Sequence, residues 1–207
     1  MIALASTVIT GAVEGDLDEA IIRRISDYAG VGVGVVHGRR GKPQLLEALS
    51  GYNEAARFAP WLVLVDLDSD FDCGPTMRGH CLPNPAPQMC FRIAVRAVEA
   101  WIMADRERIA EFLGVSRARI PQVPDDLDDP KRELVNITRH SRRMRVRDDI
   151  LPREGSGRSV GPLYTARMME FVLDPAAGWR IDAAMDVSDS LNRCVRCIGR
   201  LRSIAEG

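Results

Sequence analysis

The chain has 207 residues, of which 46% are hydrophobic and 28% charged, a composition that excludes collagen-like and disordered proteins. The strongest apolar run, Trp61–Val65, is far shorter than a membrane-spanning helix, so we expect no membrane partner. The formal net charge of −1 excludes a generally basic protein but allows a local basic patch, and five cysteines, an odd number, favour a reducing cytoplasm over a disulfide framework.

Strand and helix patterns alternate over the first hundred residues. The apolar start has no basic residues before it, which favours a buried strand over a signal peptide. Strands are predicted at Ile2–Ile9, Val31–Val36, Trp61–Val65 and Gln88–Val95. Helices are predicted at Asp16–Tyr28, at Pro43–Phe58 with a break near Gly51, and through Trp101 and Met103. Strands that are apolar on both faces and alternate with helices indicate a mostly parallel central sheet flanked by helices.

The pattern changes after Leu113, beyond which only helices are predicted, at about 131–144, 161–173 and 187–204. The sequence therefore predicts an α/β protein with a helical C-terminal part. We expect a body over residues 1–115 and a helical extension over 116–207, packed together as one compact unit.

The sharpest motif is the acidic run Asp66-Leu67-Asp68-Ser69-Asp70-Phe71-Asp72, which follows the buried strand Trp61–Val65. In an extended chain Asp66 and Asp68 project to the same side. They come at the carboxyl end of a parallel strand, where open α/β sheets bind ligands. Close carboxylates repel each other unless a cation lies between them, and Mg²⁺ is commonly held by one or two carboxylates together with substrate phosphates.

Other interpretations of the acidic run exist. An EF-hand loop counted from Asp66 would need glycine and glutamate where Phe71 and Met77 stand, so that interpretation fails. A haloacid-dehalogenase-type phosphatase also carries Asp-x-Asp after a strand, normally the first strand, and remains an alternative. A solvated acidic loop that caps the next helix is the structural alternative.

A second acidic site follows the first strand. Glu14 precedes Gly15, which permits a tight turn into the helix that starts at Asp16. A parallel sheet can bring the end of this strand beside the end of the third strand, so that Glu14 joins Asp66 and Asp68.

This combination of a glutamate after the first strand and Asp-x-Asp after the third resembles the Toprim domain of topoisomerases, primases and overcoming-lysogenization-defect nucleases. The stretch Arg96–Asp105, with Glu99-Ala100-Trp101 at its centre, further resembles a group of small bacterial Toprim-like proteins (domain-of-unknown-function family 4276). Asp72-Cys73 and Asp129-Pro130-Lys131 also match that group, and the likeness covers about residues 2–135.

The resemblance implies roles for these residues. Asp66 and Asp68 would hold Mg²⁺ or Mn²⁺, with Asp70 as a further ligand, and Glu14 would be a metal ligand or the general acid/base. Glu99 is either a second catalytic group or a helix-stabilising partner of Arg96.

The segment from Arg139 to Arg147 is strongly basic. It is a candidate phosphate-binding surface or, alternatively, a solvated helix face paired with Asp148, Asp149 and Glu154. The candidate nucleic-acid contacts are Arg139, Arg142, Arg143, Arg145 and Arg147. The pair Cys194-x-x-Cys197 lies in a helical pattern without further zinc ligands at a suitable spacing, which favours buried structural thiols.

Together these features predict an enzyme for Mg²⁺-dependent phosphoryl transfer on nucleic acid, most plausibly a nuclease. The first alternative is a Toprim-fold binding or regulatory module that acts with a partner protein such as an ATPase in a defence-type system. The second is a small-molecule phosphatase. A homodimer is the commonest oligomer for such a chain.

Overall fold

Four parallel strands form one sheet in the order β2-β1-β3-β4. The computed structural model describes residues 7–206, and side chains up to residue 204. The strands are β1 (Val8–Val13), β2 (Gly32–Gly38), β3 (Trp61–Asp66) and β4 (Met89–Ala94). The predicted α/β class, with a parallel central sheet flanked by helices and a helical C-terminal part, is confirmed.

Helices separate the strands and make up the regular structure after β4 in the described residues. They are α1 (Asp16–Tyr28), α2 (Lys42–Glu47), α3 (Leu49–Ala55), α4 (Gly74–Cys81), α5 (Val98–Ala104), α6 (Arg106–Leu113), α7 (Pro130–Thr138), α8 (Met144–Ile150), α9 (Tyr164–Leu173), α10 (Ile181–Met185) and α11 (Asp189–Glu206).

Three predicted elements differ from the structure. Strand β1 ends at Val13, beyond the predicted Ile2–Ile9, of which residues 2–6 lie outside the described residues. The helix predicted at 131–144 ends at Thr138, and the Ser141 hydroxyl accepts the Arg143 N–H (3.0 Å) in the turn before α8 begins at Met144. The helix predicted at Pro43–Phe58 breaks at Ala48 rather than at Gly51.

Strand β3 lies between β1 and β4 and is buried on both faces. Its residues from Leu62 to Val65 are at most 1% exposed, as expected for a central strand of a parallel sheet. Burial of these apolar side chains stabilises the position of β3 in the sheet. The strand therefore holds Asp66, its last residue, in a defined position.

Helix α1 begins at the end of β1 through a short turn at Gly15. The Asp18 side chain accepts the Gly15 N–H (2.8 Å) and closes the first turn. Acidic residues in that turn also interact favourably with the positive end of the helix dipole. Gly11 in β1 lets the helix pack closely, since a Cβ there would come 2.6 Å from Ile22 Cδ1. These contacts fix where β1 ends and hence where Glu14 stands.

The chain divides into two compact units. The first takes in residues 1–94 and 190–207 and contains the sheet, α1 to α4 and nearly all of α11. The second takes in residues 95–189 and contains α5 to α10. These limits differ from the predicted boundary near residue 115 in two ways: α5 and α6 belong to the second unit, and α11 belongs mostly to the first. Among the described residues no helix is both long and apolar enough to cross a bilayer.

Candidate functional site

The candidate site lies in the first unit, at the carboxyl edge of the sheet. Strand β1 has β2 on one side and β3 on the other, so the chain goes from β1 to β2 on one side and then crosses back past β1 to β3 on the other. Such a reversal of strand order opens a crevice at the carboxyl ends of the strands, where α/β proteins bind ligands. Glu14 follows β1 and Asp66 ends β3, so both belong to this crevice.

Glu14 and Asp66 are in direct contact. The backbone N–H of Asp66 donates to Glu14 Oε1 at 2.8 Å, which confirms that the ends of β1 and β3 meet. Burial raises the pKa of Glu14, although the Asp66 N–H and the charge of Lys42 act in the opposite direction. A carboxyl group whose pKa is raised by burial is better able to hold and release a proton than an exposed one.

Lys42, from the first turn of α2, links two further acids of the run, Asp68 and Asp70. Its Nζ donates to Asp68 Oδ2 at 2.6 Å and to Asp70 Oδ2 at 2.8 Å. The Lys42 side chain is only 12% exposed, whereas those two carboxylates are about half exposed. Burial alone would lower the pKa of Lys42, but its bonds to the carboxylates raise it, so the ammonium stays charged.

The loop Gly38–Lys42 brings this lysine to the acids. The N–H of Arg39 donates to Val13 O (2.9 Å) and that of Gly41 to Glu14 O (3.0 Å), so the loop folds across the end of β1. Gly38 has φ +88°, and a Cβ there would lie 2.2 Å from Val13 O, so only glycine fits.

This loop is the part of the site that the sequence interpretation missed. Its signal is visible in the sequence: a strand followed by Gly38-Arg39-Arg40-Gly41-Lys42, two glycines with three basic residues, before a helix. Arg39 is held by an ion pair with Glu19 (2.9 Å), and Arg40 is exposed. The loop thus brings basic side chains beside the acids, with Arg39 and Lys42 already paired with carboxylates.

Asp68 adopts a left-handed backbone conformation, with φ +50°. Residues other than glycine rarely adopt it, and it costs about 1 kcal/mol or more, although aspartate tolerates it better than most. The acidic run therefore leaves the extended conformation at Asp68. The predicted alternation of side chains does not continue from Asp66 to Asp70 for this reason.

A cavity of about 450 Å³ lies in the same unit, between α2, α3 and the end of α4. Its wall includes Cys81, whose pKa is raised by burial and also influenced by the charges of Lys42 and Asp70.

The donor chemistry of the crevice fits a magnesium ion. Among the described residues, no group of three or more His, Cys, Asp or Glu side chains stands ready to hold a metal. Magnesium does not require one, since it commonly takes one or two carboxylates and fills its remaining positions with water and phosphate oxygens. The Glu14 carboxylate, which accepts the Asp66 N–H, would supply one such oxygen, while Lys42 already bridges the Asp68 and Asp70 carboxylates.

Glu99 lies in the second unit and has partners there. Its side chain is 3% exposed, and its Oε1 accepts a hydrogen bond from Tyr164 Oη at 2.9 Å. Burial raises the pKa of Glu99, and the charge of Lys131 opposes that shift. Lys131 Nζ also lies 5.4 Å from the centre of the Tyr164 ring. The catalytic role of Glu99 stays a prediction.

The five arginines of the basic segment also lie in the second unit, and all five are exposed. Arg143 packs on Gly114 and donates to Phe112 O (3.2 Å). Asp149, named above as a partner for this segment, is instead paired with Arg167 at 2.6 Å. The set Arg139, Arg142, Arg143, Arg145 and Arg147 thus presents positive charge to solvent.

No protein-family model, curated protein or solved structure matches this chain. The resemblance to Toprim-like proteins therefore remains an expectation from the motifs.

Proposed function

We propose that this chain is a magnesium-dependent phosphodiesterase of the Toprim-like type that cleaves nucleic acid. The observation that carries the proposal is the hydrogen bond from the Asp66 N–H to Glu14 Oε1, at 2.8 Å. It joins the glutamate that follows β1 to the Asp-x-Asp run that follows β3. Acidic side chains at this crevice, bordered by a basic loop, are what metal-assisted phosphodiester cleavage needs.

The roles divide among the residues of the crevice. Asp66 would hold Mg²⁺ or Mn²⁺, with Asp68 and Asp70 as further ligands once Lys42 releases them. The bound ion supplies a Lewis acid that polarises a phosphoryl oxygen. Glu14, with its raised pKa, accepts a proton from the attacking water or donates one to the leaving oxygen. Once released from these acids, Lys42, which now contacts Asp68, would bind a substrate phosphate placed beside that residue.

The exposed arginines from Arg139 to Arg147 are the proposed contacts to the phosphate backbone. Such contacts position nucleic acid without reading its sequence, so cleavage at many sites is expected. We also propose a reducing, cytoplasmic setting, which suits five free cysteines, and leave a homodimer or an ATPase partner as predictions.

Cleavage of supercoiled plasmid and of structured RNA tests the proposal. The purified chain is incubated with Mg²⁺, Mn²⁺ or chelator, in parallel with Asp66→Asn and Glu14→Gln. The matched control is Asp27→Asn. It changes an exposed acid that lies on α1 about 16 Å from the start of that helix at Asp16. Metal-dependent cleavage that both crevice variants lose and the control keeps supports the proposal.

Other outcomes count against the proposal. Cleavage that persists in Asp66→Asn comes from a contaminant or another site. A chain that cleaves neither plasmid nor RNA but hydrolyses a generic phosphate ester is a small-molecule phosphatase. A chain inactive on all substrates fits the module that acts with a partner ATPase.

A further inference from the structure

Three of the five cysteines meet inside the first unit. Cys90 lies in the middle of β4, and Cys194 and Cys197 lie one helical turn apart on α11. All three are free and buried, with Cys90 and Cys194 at 0% and Cys197 at 6% exposure. The prediction that Cys194 and Cys197 are buried in a helix is confirmed, but their neighbours differ from those of ordinary core thiols.

Two arginines surround Cys197. Arg200, one turn further along α11, places Nη2 3.7 Å from Cys197 Sγ. Arg92, two residues after Cys90 on β4, also hydrogen-bonds the Cys197 sulfur. The Cys90 thiol donates to the same sulfur. Positive charge and hydrogen-bond donors around a sulfur favour its thiolate, which is the reactive form of cysteine.

The three thiols differ in acidity. The hydrogen bond from Cys90, with help from the two arginines, lowers the pKa of Cys197 to about 6 against the effect of burial. Burial raises the pKa of Cys194 to about 12 and also raises that of Cys90. The donors around it therefore favour the thiolate form at Cys197, with Cys90 as a thiol donor beside it.

We propose that Cys197 is a peroxide-oxidation site and that Cys90 is its resolving cysteine, so that oxidation joins β4 to α11 by a disulfide. The Cys197 thiolate attacks one peroxide oxygen, the O–O bond breaks, and the departing oxygen leaves as water after taking up a proton. This step forms a sulfenic acid. The Cys90 sulfur then attacks the Cys197 sulfur, the S–O bond breaks, and a second water leaves. Two thiols and one hydrogen peroxide thus become one disulfide and two waters.

An unpartnered donor stands ready for the added oxygen. The Nε of Arg92 is buried and has no hydrogen-bond partner among the described residues. Buried donors of this kind are normally satisfied, so an unsatisfied one calls for a functional explanation. The oxygen of a sulfenic acid on Cys197 would be an acceptor for it.

Cys90 is a better partner for Cys197 than Cys194 is. Side chains three residues apart on a helix have Cβ atoms about 5–6 Å apart, whereas a disulfide needs about 3.5–4.5 Å. A Cys194–Cys197 disulfide would therefore distort α11. Cys90 already donates to the Cys197 sulfur and approaches from a different element.

Mass spectrometry of the whole chain tests the proposal. Cys73→Ser and Cys81→Ser in one background remove the two thiols outside the cluster. After native treatment with hydrogen peroxide and alkylation in denaturant, we expect a loss of two hydrogen atoms and a linked peptide pair containing Cys90 and Cys197. In the same background, Cys90→Ser is expected to leave a sulfenic acid on Cys197 that dimedone traps.

Variants that keep all three thiols provide the second readout. Arg200→Gln is expected to slow the oxidation several-fold, whereas Arg196→Gln, an exposed arginine on the same helix, is expected not to. The proposal is overturned if the linked pair is Cys194 and Cys197, if all three thiols still alkylate after peroxide, or if Arg200→Gln oxidises at the wild-type rate.

Discussion

Replacement of Lys42 by methionine is the most direct test of the proposed metal site. Methionine keeps the unbranched stem and removes the ammonium that donates to Asp68 (2.6 Å) and Asp70 (2.8 Å). The proposed ion and this ammonium compete for the same carboxylates. We therefore expect Lys42→Met to bind Mg²⁺ more tightly than the wild type.

The size of the effect follows from the geometry. A magnesium ion about 2.1 Å from an Asp68 oxygen lies within about 5 Å of the position of Nζ. A unit charge and a double charge at that separation repel by about 1.7 kcal/mol even at the dielectric constant of water. Removal of this repulsion strengthens binding about tenfold or more. The separation is shorter than the Debye length at about 0.1 M salt, so moderate salt leaves most of the effect.

Titration calorimetry of Mg²⁺ or Mn²⁺ into both proteins measures the change. Arg57→Met is the matched control, since Arg57 is 60% exposed and pairs with Glu54 on the surface. Because the Lys42 charge lowers the pKa of Glu14, carboxyl NMR should also show that pKa higher in Lys42→Met. Unchanged or weaker Mg²⁺ binding in Lys42→Met would refute the assignment of Asp68 and Asp70 as ligands.

Three further predictions concern stability. Glu14→Gln keeps the acceptor for the Asp66 N–H and removes a carboxylate whose pKa is raised, so urea unfolding should show it more stable than the wild type at pH 7. That advantage should shrink as the pH falls through the raised pKa of Glu14 and vanish below about 4, where the carboxyl becomes protonated in the unfolded chain too; an advantage of Glu14→Gln that grows on acidification contradicts this reasoning. Asp105→Ala should cost about 1–3 kcal/mol by urea unfolding, because Asp105 is 1% exposed and accepts three hydrogen bonds from Arg180, which is 38% exposed and keeps its pair with Glu107; an unchanged unfolding free energy contradicts this. Leu62→Ala should lower the unfolding free energy by about 2–5 kcal/mol in thermal melts, because the Leu62 side chain is fully buried. An unchanged unfolding free energy would contradict that burial.

Elements with a strong local pattern were predictable from the sequence. Helix α1 occupies the predicted Asp16–Tyr28, because its apolar spacing and the acidic residues of its first turn act within one stretch of chain. Strand β3 extends the predicted Trp61–Val65 by one residue. The helix predicted at 131–144 was not correct as a single helix, because the turn at Ser141 depends on its hydroxyl, which also donates to Leu113 O in another element.

The candidate site was predictable only in part. Glu14 and Asp66 follow apolar strands, and the parallel α/β pattern was sufficient to expect their approach. Lys42 was not found, because its importance comes from a loop that folds across the end of β1. The partners of Glu99 and Cys197 were not visible either, since Tyr164 and Cys90 are distant from them in the chain.

The sequence by itself determined the class of fold and the position of the acidic residues at strand ends, because hydrophobic periodicity and turn residues act over a few neighbouring positions. Tertiary structure alone decided which side chains meet. The strand order places β1 between β2 and β3, so that Glu14 contacts Asp66 and the loop after β2 delivers Lys42 to Asp68. Contacts of this kind depend on packing between segments far apart in the chain, and no local pattern encodes them.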